Sequence, residues 1–208
     1  MPNHVPVAST SLVTAGLVST QAQEKVQRTP AELKAVAKIQ QLGGLAMEIA
    51  QNDSRMEVSY IQKDTKFSED HLTPLKDLKG LIHLNLRAQD VTDAQMVHLK
   101  NLTSLTRLHL EQTKITDKGL ENIKGLVNLE YLNLYGTSIT DAGLVHLEKM
   151  TKLKDLYLWQ TKVTDAGVAK LKKALPKVEI VRGLDLEKPK EEKKPPAKKE
   201  DAKKEKKK

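Results

Sequence analysis

The 208-residue chain is predicted to fold as a right-handed α/β solenoid, with short parallel strands along one side and short helices along the other. Three observations carry that prediction. Leu81, Leu105, Leu129 and Leu153 recur at a spacing of 24 residues, and each opens a unit of the same pattern. Inside each unit the apolar period changes from two residues to three. Phe, Trp and Tyr together number only six, so the core has to be aliphatic.

The unit Leu129 to Lys152, LEYLNLYGTSITDAGLVHLEKMTK, shows the pattern best. Leu132 and Leu134 alternate with Tyr131, Asn133 and Tyr135, as in a half-buried strand. After Gly136 the pattern becomes Leu144, Leu147 and Met150, one face of a short helix. Between them Ile139 plugs the core, and Thr140 or Asp141 offers an oxygen to the free N–H groups at the helix start. A strand, a turn and a short helix cannot bury both apolar faces alone, so the unit needs copies beside it.

The copies begin at Leu81, Leu105 and Leu153, and a degenerate one precedes them from Glu57. There Phe67 takes the Ile139 slot, and Leu72, Leu75 and Leu78 take the helix slots. Pro176 ends the last helix, and Val178 to Val181 is one more strand without a helix. Three units carry glycine at one helix position, Gly119, Gly143 and Gly167, which points to close packing of neighbouring helices. The two earlier units carry His71 and Gln95 there, and looser packing is expected at those positions.

The pattern L-x-x-L-x-L-x-x-T-x-I-T-D-x-G-L resembles the leucine-rich-repeat family, closest to 24-residue bacterial repeats and to the repeats of F-box adaptors. The resemblance covers about residues 30 to 186. It implies a curved solenoid with strands on the concave face and helices on the convex face. The Asn or Cys common after the second strand leucine is replaced by Gln89, Thr113, Thr137 and Thr161, whose side chains can still bond loop backbone. The stretch before the repeats is too short for both an F-box and a cap, so ubiquitin-ligase adaptor function does not carry over.

The ends differ from the repeats. Residues 1–28 read as a disordered leader or a secretory signal, with Leu12, Val13, Leu17 and Val18 as the apolar part and Thr20-Gln21-Ala22 as a small-residue cleavage site. The positive n-region of a signal is missing. Residues 29–56 read as an N-terminal cap. Thr29 and Pro30 start its helix, Leu33, Val36, Ile39 and Leu42 line it, and Gly43-Gly44 stops it. Strands at Leu45–Ile49 and Met56–Ile61 follow as a hairpin. The repeats with their C-terminal cap strand occupy 57–186. Residues 187–208 form a Lys-rich tail, predicted to be disordered, with 11 Lys against 6 acids, which carries +5 of the net +8.

Strand alternation places three residues per unit on the sheet face: Ser59, Ile61 and Lys63; His83, Asn85 and Arg87; Arg107, His109 and Glu111; Tyr131, Asn133 and Tyr135; Asp155, Tyr157 and Trp159. Three of the four tyrosines and the single tryptophan thus share one face, at one end of it, while the other end reads as polar and basic. Strands accept aromatics in any case, but the core slots here hold leucine, and exposed rings with polar tips suit an interface. His83, His109 and Glu111 resemble a zinc ligand set by residue type, yet a flat sheet lacks convergent geometry, and no metal or cofactor is expected. His98 and His146 belong to the helix surface.

No serine sits in a nucleophile-elbow glycine pattern and no Gly-rich phosphate loop occurs, so no catalytic set is assigned. The absence of cysteine excludes disulfides and cysteine-rich metal sites. No stretch is apolar enough for a membrane-spanning helix. The expected function is recognition of a protein partner on the concave face, without chemistry. The alternatives are glycan binding by the same rings, or an electrostatic adaptor whose tail holds nucleic acid or envelope polyanions. The tail has no aromatic to stack on a base and intersperses acids among its lysines, so a solubilising tail or tether is the better account of it. The compartment follows the leader: export or envelope with a signal, cytoplasm without one.

Overall fold

The structure, a computed structural model, describes residues 27–61 and 67–183. The readings of the leader, of Lys63 and of the Lys-rich tail lie outside the described residues. Seven strands form one sheet in chain order: β1 (Leu45–Glu48), β2 (Met56–Ser59), β3 (Leu81–Asn85), β4 (Arg107–His109), β5 (Tyr131–Asn133), β6 (Asp155–Tyr157) and β7 (Glu179–Val181). β1 runs antiparallel to β2, and every later pair is parallel.

The helical segments are α1 (Pro30–Gln41), α2 (Glu69–Leu72), α3 (Asp117–Glu121), α4 (Asp141–Leu144) and α5 (Asp165–Ala174), with 3₁₀ turns at Thr73–Asp77, Gln95–Leu99 and Val145–Leu147. Most predicted repeat helices are therefore single turns, and the unit from Leu81 has only a 3₁₀ turn. The reason is the short unit. A 3₁₀ turn rises about 2.0 Å per residue against about 1.5 Å for an α-helix, so fewer residues cross the unit. The three-residue spacing of Leu144, Leu147 and Met150 is the 3₁₀ period.

The core is a stack of aliphatic layers. Leu81, Leu105 and Leu129 are fully buried and Leu153 nearly so, as are Leu84, Leu108, Leu132 and Leu156 of the strands. Each such leucine contributes about 1.5–3 kcal/mol on burial. α1 closes the first layer through Ile39 and Ala35, packed on the Thr73–Asp77 turn. Its start is held by a capping box, in which Thr29 Oγ1 accepts from Glu32 N and Glu32 Oε2 accepts from Thr29 N.

The degenerate unit has a different register from the one its spacing suggests. Val58 pairs with Leu84 and Ser59 with Asn85, with an irregularity between Met56 and Glu57. Met56, Val58 and Tyr60 are its core residues, two positions ahead of a 24-residue count, while Phe67 keeps the count and is buried as expected. Two extra residues therefore fall between Tyr60 and Phe67.

A polar latch joins successive units. Asp93, Asp117 and Asp141 each accept two bonds from the threonine one unit on. Thr116 N and Oγ1 donate to Asp93 at 2.7 and 2.6 Å, Thr140 to Asp117 at 2.8 and 2.6 Å, and Thr164 to Asp141 at 2.7 and 2.6 Å. Thr140 is thus the residue that caps its own helix start, at Ala142 N, while Asp141 reaches forward. The glycine position follows from the latch: a methyl on Gly119, Gly143 or Gly167 would overlap the carboxylate of Asp93, Asp117 or Asp141. The packing that demands glycine is carboxylate on helix start, not helix on helix.

The first two units lack an upstream aspartate and cap themselves. His71 Nδ1 accepts from Ser68 N at 3.1 Å, and Gln95 Oε1 accepts from Thr92 N at 2.9 Å. Both side chains are buried, so the expected loosening at His71 and Gln95 does not occur. At the other end Asp165 has no following threonine, and the Arg182 guanidinium pairs with it instead. The threonines at the position of the family's Asn or Cys bond within their own unit: Thr113, Thr137 and Thr161 donate to Leu110, Leu134 and Leu158 carbonyls at 2.6–2.8 Å. Gln89 instead crosses to the Tyr60 carbonyl at 2.8 Å.

One backbone position is left-handed in every full unit: Ala88, Gln112, Gly136 and Gln160 have φ between 54° and 68°. Only glycine adopts this without steric cost, so the other three store strain of about 1–2 kcal/mol each.

Three outcomes follow. Gly143→Ala destabilises the protein by about 1–3 kcal/mol, and the loss shrinks in an Asp117→Ala background because the overlapping carboxylate is gone. Thermal denaturation of the two single variants and the double variant measures that coupling. Gln112→Gly stabilises by about 0.5–1 kcal/mol in urea unfolding, the strain relieved outweighing the added chain entropy. Asp141 is held below the ordinary carboxylate range, first by the Thr164 hydroxyl and then by its N–H. A lowered folded-state value gives stability that is full above the unfolded value and lost as pH falls through the folded one. The stability gap between the native protein and Asp141→Ala therefore closes below about pH 4.

Candidate functional site

The outward residues of the strands form a lattice of three rows, fixed by Cα pairing. The first row is Glu57, His83, Arg107, Tyr131, Asp155 and Glu179. The second is Ser59, Asn85, His109, Asn133, Tyr157 and Val181. The third, Arg87, Glu111, Tyr135 and Trp159, follows the strand ends. Inter-unit bonds keep it in step, with Ala88 N donating to the Glu111 carbonyl, Gln112 N to Tyr135 and Gly136 N to Trp159 at 2.7–2.9 Å.

The rings named from the sequence come together. Tyr131 and Tyr157 have centroids 5.3 Å apart, and Tyr135 stacks on Trp159 at 5.1 Å. His109 extends the cluster at 4.8 Å from Tyr131, and the Arg107 guanidinium lies 4.3 Å over the Tyr131 ring. Trp159 is 48% exposed, and the three tyrosines are half-buried against one another and the sheet. Trp159 also rests on Gly183, where a side chain would strike the indole. The tyrosine phenols differ by position: burial raises the Tyr131 pKa, with the Glu111 charge adding to the rise. The fourth tyrosine, Tyr60, is in the core, where burial raises its pKa and its hydroxyl donates to the His71 carbonyl at 2.6 Å.

Polar groups of the face are largely engaged. Asn85 and Asn133 accept from Arg87 N and Tyr135 N at 3.0 Å, so each bends back on its own strand. His109 Nδ1 meets Glu111 Oε1 at 2.8 Å, and His83 Nδ1 lies 3.7 Å from Glu57. The two histidines therefore face different carboxylates rather than converging with Glu111, and no group of three or more metal-binding side chains occurs among the described residues. Burial lowers the His83 pKa, with Arg107 and His109 adding to that and Glu57 opposing it.

Three placements differ from the sequence reading. Glu111 is buried rather than displayed, and its Oε2 has no hydrogen-bond partner. Ser59 is also buried, with Oγ 3.2 Å from Glu57. Glu57, not predicted for the face, takes the position opposite His83 because of the β2 register shift. The end of the face expected to be polar and basic begins with apolar residues instead. β1 pairs Leu45 with Ser59 and Met47 with Glu57, and Leu45, Met47 and Ile61 are all exposed. Counting repeats could not find Leu45 and Met47, which lie on an antiparallel strand outside the period. Their alternation with Ala46 and Glu48 was the available signal.

No helix among the described residues is long and apolar enough to cross a membrane. A sequence profile of the leucine-rich repeat matches residues 101–124. No curated protein matches the chain. Among solved structures, internalin C2 of Listeria monocytogenes is similar at 22% identity over 56% of this chain and 57% of that one, with a TM-score of 0.41. Internalin F of the same organism is similar at 23% identity over 69% and 46%, with a TM-score of 0.42. A leucine-rich-repeat protein of Leptospira interrogans is similar at 22% identity over 56% and 34%, with a TM-score of 0.37. The chain thus spans less than two thirds of the length of these structures. With its 24-residue period, strands stacked at that same period and a matched repeat at 101–124, the chain is a leucine-rich-repeat protein.

Proposed function

We propose that this protein is a non-catalytic recognition module that binds a protein partner on the concave sheet face, with Tyr131, Tyr135, Tyr157 and Trp159 as anchors. The observation that carries the reading is the continuity of the rings. They touch in pairs across β5 and β6 and stay partly open to solvent, although every core slot of the same strands is filled by leucine. Rings with a polar tip give large contact area for little lost side-chain freedom, which is what binding hot spots use. Asn85, Arg87, Arg107, His83 and His109, with Asn133 and Asp155, form the polar surround, and Glu111 lies buried beneath it against His109.

The glycan reading has less support. A sugar stacks on a free ring face, and Tyr135 and Trp159 each give one face to the other.

The test is affinity capture with the full chain and with the Tyr135→Ala/Trp159→Ala double variant, followed by titration of the captured partner. The expected result is a loss of about 2 kcal/mol or more, roughly thirtyfold in affinity. Circular dichroism checks that the variant is folded, since Trp159 also covers Gly183. Undiminished capture by a folded double variant would rule the anchors out.

A further inference from the structure

The first row of the face is segregated by charge in a way the rings do not explain. Arg107, Tyr131, Asp155 and Glu179 are consecutive along it, each opposite the next on β4 to β7. Arg107 is exposed and stacks on Tyr131, and no carboxylate lies within ion-pair distance of it among the described residues. Asp155 and Glu179 likewise make no ion pair among the described residues. Elsewhere on the face two carboxylates have a histidine beside them, Glu57 with His83 and Glu111 with His109, while Arg87 in the third row, like Arg107, makes no ion pair among the described residues. The row therefore presents one free cation, a ring and two free anions, in that order.

Strand spacing turns this order into a length. Neighbouring strands lie about 4.8 Å apart, so Arg107 and Asp155 are separated by roughly 10 Å and Arg107 and Glu179 by roughly 14 Å. An extended segment crossing the strands advances about 3.3 Å per residue and turns residues i, i+2 and i+4 to one side, roughly 7 and 13 Å along. Building on the recognition role above, we propose that this row binds an extended segment of the protein partner carrying an acidic residue at i, an aromatic or large aliphatic residue at i+2 and a basic residue at i+4. The acid meets Arg107, the middle side chain packs on Tyr131 and Tyr157, and the base meets Asp155 and Glu179. The complementary order of charge sets the direction in which the segment lies.

The test uses the full chain and an 11-residue peptide, acetylated and amidated, with Glu, Phe and Lys at i, i+2 and i+4 in a Gly/Ser background. Its zero net charge gives the Lys-rich tail nothing to hold. Calorimetry at physiological salt is expected to show saturable binding. Replacing the peptide Glu by Gln, or Arg107→Gln in the protein, weakens it about fivefold to tenfold, and the two changes together weaken it no further. Arg107→Glu restores binding to a peptide whose Glu is replaced by Lys. Equal binding of the Glu and Gln peptides, additive losses, or no heat up to millimolar peptide would each overturn the proposal. The capture experiment with the ring double variant judges the recognition role separately. A lost partner there together with a silent peptide here leaves the role standing and removes this segment chemistry.

Discussion

No coil of this protein can satisfy itself. A strand of three residues such as β5 has no partner within its own unit, so its N–H and C=O groups are met by β4 and β6. Its leucines are fully buried in one continuous core that runs through the neighbouring layers. Everything else rests on consecutive coils staying in step. The latch between aspartate and threonine enforces that step independently of the strands. Asp117 holds two hydrogens of Thr140 while occupying the space that Gly143 leaves open. A slip by one residue would unpair the carboxylate and set it against a side chain, which raises the cost of every wrong register.

A device that always reaches one unit forward creates two exceptional ends. The first units have no aspartate behind them, and there His71 and Gln95 bend back onto the backbone N–H that an aspartate would otherwise hold. Neither could do so if the position were glycine, and glycine is not needed where no carboxylate intrudes. In the last unit Asp165 has no threonine one unit on, and Arg182 donates one N–H to it and another to the Val163 carbonyl. Repeat proteins need atypical terminal units to end the stack. Here the substitutions at the glycine position and the arginine after β7 serve the same end at opposite sides.

The period made most of the fold legible. Leucine spacing located β3 to β6 and their core residues, because a core slot tolerates few residue types and repeats them. The same counting failed at β2. A count of residues assumes constant loop length, and two extra residues before Phe67 moved the strand register while leaving the helix register intact. Glu57 was hidden for that reason. The latch was hidden for another: Asp and Gly of T-D-x-G sit in one unit, but the interaction that requires them runs between units. Glu111 shows a third limit. Alternation says which way a side chain leaves the strand, not whether His109 and its neighbours close over it.

The ring cluster was legible because it combines a face rule with a composition rule, and its geometry adds a physical consequence. Tyr135 is held against Trp159, and Trp159 against Gly183, so these side chains are already ordered before anything binds. Ordering a large side chain at an interface costs about 0.5–1.5 kcal/mol, and a cluster that has met that cost on folding gives more of its contact energy to a partner. The rows reinforce this. Each row position is set by a backbone whose lateral spacing is fixed by hydrogen bonds, not by loop conformation, so the Cα spacing of Arg107, Tyr131 and Asp155 is that of neighbouring paired strands. Under the proposed recognition role, a face built this way favours partners that are themselves extended and periodic. A compact loop would meet the lattice at one point, whereas a segment laid across the strands meets a new strand about every one and a half residues.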